Sequence, residues 1–169
     1  MPAWSTEVAN EFIALARQDG RALDQLQLQK LVYIAHGWCL AATGQPLTGD
    51  RPEAWEHGPI YRRLAEALAD RGLDPVDHIA GPVAVSDKAS VLEPIEVAFI
   101  TRTFKEYGSF PAPQLSSLTR RGNAPWKTVY DCGAGRFRDI SHILVRDQFV
   151  ELASSSSSSA TYVAQQYRH

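Results

Sequence analysis

Apolar residues recur at three- and four-residue steps along most of the chain as far as Leu152, the spacing of helix faces rather than strands. Val8, Phe12, Ile13, Leu15 and Ala16 predict a first helix, with Ser5 or Thr6 as its cap, Glu7 in its first turn and Gly20 at its end. Leu28, Leu31, Val32, Ala35, Cys39 and Ala42 define one face of a second helix over 25–43, stopped by Gly44. Tyr33, Ile34 and Leu40 make its other side apolar as well, and a helix apolar nearly all round belongs at the centre of a domain. Pro, Gly and Asp then break the pattern, which predicts a minor β-hairpin or irregular excursion near 46–56. Gly58-Pro59 is predicted to open a third helix, with Ile60, Leu64, Ala67 and Leu68 buried and Gly72 at the end.

Residues 73–89 read as a connection holding one short extended piece, Val83-Ala84-Val85. Pro94 starts a fourth helix with Ile95, Ala98, Phe99 and Arg102 on one side and Val97, Ile100, Phe104 and Tyr107 on another, closed by Gly108. Gln114–Thr119 and the stretch from Pro125-Trp126 predict short helices. Asp139 is placed to cap a last helix whose core residues are Ile140, Ile143, Leu144 and Phe149. A run of serines follows from Ser154 to Ser159, too polar to bury a face. The pattern thus predicts a mainly α protein: a single compact helical domain over 1–152 and a Ser-rich, flexible C-terminal tail over 153–169.

Composition narrows the function. A length of 169 residues suits one domain, and 44% hydrophobic with 21% charged residues is a globular balance. Seventeen Lys and Arg against nineteen Asp and Glu leave a net charge of −2, which makes nucleic acid an unlikely general partner. Five basic residues in 120–138 (Arg120, Arg121, Lys127, Arg136, Arg138) still form a local patch, suited to an acidic protein surface or, as the alternative function, to a DNA-binding autorepressor. No apolar run is long enough for a membrane span, and the N-terminus lacks the basic-then-apolar build of a signal peptide, so a cytoplasmic setting is expected. Two cysteines, Cys39 and Cys132, give neither a disulfide framework nor a Cys-based zinc site.

Candidate chemistry is sparse. His36 and Cys39 share a helix face, but a metal needs three or four ligands and His57, His78, Cys132 and His142 are scattered. Cys39 on an apolar face is an inert thiol, and Cys132 beside Asp131 is a poor thiolate. Gly133 and Gly135 lack the strand and the Lys-Ser/Thr of a phosphate loop and read as a turn. No catalytic residue, metal or cofactor is therefore expected. The most informative segment is Glu53-Ala54-Trp55-Glu56-His57-Gly58-Pro59-Ile60-Tyr61, in which Trp55 anchors the excursion while Glu56, His57 and Tyr61, beside Arg62 and Arg63, suit a protein interface. Arg120, Arg121 and Lys127 around Trp126 form a second candidate interface, and Trp55 and Trp126 are themselves expected to pack.

Leu28-Gln29-Lys30-Leu31-Val32-Tyr33-Ile34-Ala35-His36-Gly37-Trp38, followed by Glu53-Ala54-Trp55-Glu56-His57-Gly58-Pro59-Ile60, resembles the Panacea domain of SocA-type antitoxins and phage-associated GepA-like proteins. Gly44-Gln45-Pro46-Leu47 and Leu118-Thr119-Arg120 with Pro125-Trp126 extend the resemblance, except that Arg120 stands where the family usually has histidine. The resemblance marks Lys30, Tyr33, Gly37, Trp38, Trp55, Gly58, Pro59, Pro125 and Trp126 as the family's structural positions. It implies a bacterial antitoxin, not an enzyme, that binds and neutralises a cognate protein toxin. The antitoxin would occlude the toxin directly or, as in the SocA-type branch, itself act as a proteolytic adaptor that delivers the toxin to a Clp protease.

Overall fold

The computed structural model describes residues 2–79 and 92–155; the piece expected at Val83–Val85 and most of the Ser-rich tail lie outside them. Helices α1 (Ser5–Gln18) and α2 (Gln25–Thr43) come first, then a hairpin of β1 (Glu53–Trp55) and β2 (Gly58–Ile60). Helices α3 (Arg62–Ala67), α4 (Pro94–Tyr107), α5 (Ala112–Arg120), α6 (Pro125–Tyr130) and α7 (His142–Ser155) complete a mainly α fold.

Helix α2 is the axis. Asp24 caps it by accepting from the Gln27 backbone N–H at 2.8 Å, while the Gln27 side chain accepts from Asp24 N–H at 2.9 Å. Gly44 ends it at φ 72°, a left-handed conformation that favours glycine. Helices α1, α4, α5 and α7 all pack on it, so every residue from Leu28 to Leu40 is buried. Pro94 opens α4, and Phe99, Ile100 and Phe104 carry its buried face.

Several boundaries differ from the sequence pattern. Gly58-Pro59 does not open a helix; it forms β2, paired antiparallel to β1 with Ala54 opposite Pro59, because Gly58 sits at φ 122°, outside any helix. The hairpin therefore lies over 53–60, later than expected, and α3 starts at Arg62, which leaves Ala67 exposed. Asp139 does not cap α7: residues 137–140 run beside β1, with Phe137 N–H donating to Ala54 O at 2.8 Å and Ile140 N–H to Pro52 O at 2.7 Å. The helix begins after Ser141, whose hydroxyl accepts from Leu144 N–H, so Ile143 and Leu144 face outward while Ile140, Val145 and Phe149 are buried. At its far end α7 continues through Ala153 to Ser155, into the stretch expected as tail. Ser5 does not cap α1; its N–H and hydroxyl both donate to Asp50, an acceptor at the positive end of that helix.

Helix α7 packs closely on α2 at Gly37. Phe149 lies edge-on to Tyr33 and Trp38, with ring centroids 6.0 and 4.9 Å away, and its ring occupies the space where a Gly37 side chain would stand. Alanine at position 37 would gain about 1 kcal/mol of helix propensity. The added methyl would, however, overlap a ring held between two others, and overpacking of this kind costs about 1–3 kcal/mol or more. Gly37→Ala is expected to lower the melting temperature, and Phe149→Leu added to it to recover part of the loss. A Gly37→Ala protein as stable as the parent in thermal unfolding would contradict the close approach.

Candidate functional site

The polar residues of the α2 motif point inward and hold other segments. Gln29 pairs with the backbone of Tyr61 as a neighbouring strand would: its amide donates to Tyr61 O at 3.1 Å and its carbonyl accepts from Tyr61 N–H at 2.8 Å. Lys30, only 1% exposed, donates from Nζ to Pro59 O at 2.8 Å. Burial, with Arg120 adding to it, brings the Lys30 ammonium down to a pKa of about 7. Tyr33 donates to the Gln148 side chain at 2.7 Å and thereby ties α7 to α2. Burial also raises the Cys39 thiol to about 11, keeping it protonated.

His36 is held from two directions. The backbone N–H groups of Leu47 and Thr48 both donate to its Nδ1, at 3.2 and 3.3 Å. Nδ1 is thus an acceptor, the ring proton sits on Nε2, and Nε2 lies 3.0 Å from His142 Nδ1. Burial, then the His142 charge, lowers His36 to about 3. His142 is lowered too, chiefly by burial and secondly by Arg51.

Outside this interior lies the hairpin tip. Glu56 and His57 are exposed there, and Arg62 and Arg63 are exposed on the first turn of α3. Arg62 forks onto Glu53, with Nε and Nη2 each 2.9 Å from a carboxylate oxygen, and Arg63 lies over the Trp4 ring at 4.0 Å. Tyr61, expected among these contact residues, is fully buried: its backbone is taken by Gln29 and its ring packs edge-on to His36. Trp55 and Trp126 are half-buried, joined by the Trp126 indole N–H donating to Trp55 O at 2.6 Å. Pro125 is buried at the start of α6, and Lys127 is exposed on its outer side.

The basic residues of 120–138 do not gather into one stripe. Arg120 borders a cavity of about 470 Å³ between the hairpin tip and α5, which Lys30, His57 and Arg136 also line. Arg121 borders a separate cavity of about 440 Å³ between α5 and α7, walled by Trp38, Leu118 and Phe149. Among the described residues no group of three or more His, Cys, Asp or Glu side chains is arranged to hold a metal, and no helix is long and apolar enough to cross a membrane.

Residues 28–127, a stretch spanning both motifs and the cavity-lining α5, match the family model described as Antitoxin SocA-like, Panacea domain. The chain belongs to the SocA-like Panacea family. It is also similar to Antitoxin SocA of Caulobacter vibrioides (strain NA1000 / CB15N), 27% identical over 135 residues that cover 72% of this chain and 68% of that protein. No solved structure matches it.

The Panacea motif is accounted for mostly by interior ties, and two of these were not legible in the sequence. His142 stands far from His36 along the chain, so only the fold pairs them. Lys30 was marked by the family pattern, but its burial follows from the wrapping of α2 rather than from its neighbours in sequence. The His36 contact has a pH signature. The folded Panacea domain keeps His36 neutral down to about pH 3, while the unfolded chain takes a proton near 6.5. The resulting stability is complete above pH 6.5 and is lost as pH falls toward 3, at up to ~1.4 kcal/mol per pH unit. Denaturant unfolding is expected to show about 2 kcal/mol less stability at pH 5 than at pH 7.5 from this group. His36→Asn should be less stable at pH 7.5 and show a shallower slope; an unchanged slope would refute the buried neutral ring.

Proposed function

We propose that this protein is an antitoxin that binds and neutralises a cognate protein toxin and acts without catalysis. The observation that carries this reading is the Panacea match over residues 28–127, in a chain whose conspicuous motif side chains (Gln29, Lys30, Tyr33, His36) make internal contacts. Side chains committed to internal contacts make a scaffold, and recognition then falls to what the scaffold exposes. Glu56, His57, Arg62, Arg63, Arg121 and Lys127 are exposed on or beside the hairpin and the α5–α6 turn. Arginine beside aromatic rings, as Arg63 over Trp4 and Arg120 over Trp126, is the composition of a protein contact rather than of a substrate pocket.

Neutralisation by direct occlusion needs only this surface. Delivery to a Clp protease would need a second surface for the protease, and the two modes separate in a host lacking that protease: occlusion still rescues growth there, delivery does not. The reading requires that a neighbouring gene encode a toxin whose product co-purifies with this protein and whose toxicity it relieves. Arg63→Glu, Arg121→Glu and Lys127→Glu should each change folding stability by no more than about 1 kcal/mol, since these side chains are exposed, yet weaken that complex. Thermal unfolding and a binding titration of the same variants check both halves. If all three bind like the parent, the toxin sits on another face.

A further inference from the structure

The cavity between the hairpin tip and α5 combines apolar walls with three cations, two of which have no counter-ion among the described residues. Trp55, Ile60, Ala112 and Phe137 contribute the walls, and Lys30, Arg120 and Arg136 the positive groups. Lys30 offers three N–H donors as an ammonium and, among the described residues, uses one, on Pro59 O. Arg120 donates from Nε to Ser116 O at 3.3 Å and lies over the Trp126 ring at 5.7 Å; among the described residues neither it nor Lys30 has a carboxylate partner. Glu56 is the acidic residue lining the cavity, and its nearest charge is Arg136 at 3.9 Å, near the solvent. Gly58 keeps the space beside the amine clear, since a Cβ there would stand 3.0 Å from Lys30 Nζ and 3.4 Å from Thr119 Oγ.

Burial first, and second the repulsion from Arg120 along the same cavity, lower the Lys30 ammonium. A single carboxylate placed between the two cations would turn that repulsion into two charge-assisted hydrogen bonds. The methylenes behind such a carboxylate would meet the apolar walls. A volume of about 470 Å³ has room for one such side chain. We propose that this cavity receives one aspartate or glutamate side chain of the protein partner, bound by the Lys30 ammonium and the Arg120 guanidinium. The proposal rests on the antitoxin reading for the identity of the partner, and on the cavity alone for the chemistry of what enters it.

Carboxylate binding restores the Lys30 proton, which gives a signature that loss of folding does not imitate. The charged and titratable groups around Lys30 are Arg120 on α5, Glu56 and His57 at the hairpin tip, and Arg136 after α6. With the product of the toxin gene next door, calorimetry at about pH 8 in buffers of different ionisation heat should show close to one proton taken up by the parent complex and none by Lys30→Met. Arg120→Glu should weaken the complex by about thirtyfold or more at a temperature where its own melting curve shows it folded. A complex that forms without proton uptake, and that Lys30→Met and Arg120→Glu leave within about twofold, would overturn the proposal while leaving the antitoxin reading intact. If no neighbouring product binds the parent, it is the antitoxin reading that fails, and the cavity is then judged by a small probe. N-acetylglutamate amide titrated into lysine-labelled protein should raise the Lys30 pKa measured by NMR, with N-acetylglutamine amide giving no change. No shift with the acid, or a shift with inorganic phosphate in its place, would refute carboxylate recognition.

Discussion

A helix enclosed on every side leaves its polar side chains no water to turn to. Each buried donor or acceptor left unmet costs about 1–3 kcal/mol, so the polar groups of α2 dictate what surrounds it. Gln29 needs a strand-like partner and takes Tyr61; Lys30 needs a carbonyl and takes Pro59; Tyr33 reaches Gln148 on α7; His36 gathers the N–H groups of Leu47 and Thr48. These four contacts fix the hairpin, the link after α2 and the last helix onto one axis. Hydrophobic packing supplies most of the driving force, but it is non-directional, and the hydrogen bonds choose the arrangement.

This division separates the residues that mark the family from those the fold leaves exposed. Lys30, Tyr33, Gly37, Gly58 and Pro59 face inward or clear space for neighbours, whereas Glu56, His57, Arg62 and Arg63 project from the frame they support. Arg120 belongs to both sets. It is half-buried, borders the cavity that Lys30 lines, and stacks on Trp126. A histidine at this position could be neutral; arginine always carries its charge, so this chain sets a permanent cation beside the buried amine.

The bounds of α2 were legible because pattern and punctuation agree: apolar residues on both sides and a stop glycine. The Gly58-Pro59 boundary was misread because a proline after a glycine signals a helix start and an edge strand equally well. The choice was made by Lys30 and Gln29, whose demands come from a segment distant in sequence. Ile143 and Leu144 read as core by hydrophobicity, yet residues 137–140 are drawn alongside β1, which delays α7 and turns those two side chains outward. Of the candidate contacts, the exposed arginines followed from their type, while the burial of Tyr61 depended on the same Gln29 pairing.

The two-stranded sheet has both of its margins occupied. Along β1, Ala54 N–H donates to Arg138 O and Ala54 O accepts from Phe137. Along β2, Pro59 has no N–H to offer, its carbonyl is taken by Lys30, and the following peptide of Tyr61 is matched by the Gln29 amide. A helix side chain thus does the work of a third strand and seals what would otherwise be a template for another chain. Recognition by strand addition is thereby closed at this hairpin, and so is the commonest route from a small exposed sheet to aggregation. Whatever docks at the tip must be read by side chains, which can change from one homologue to another without disturbing the backbone that carries them.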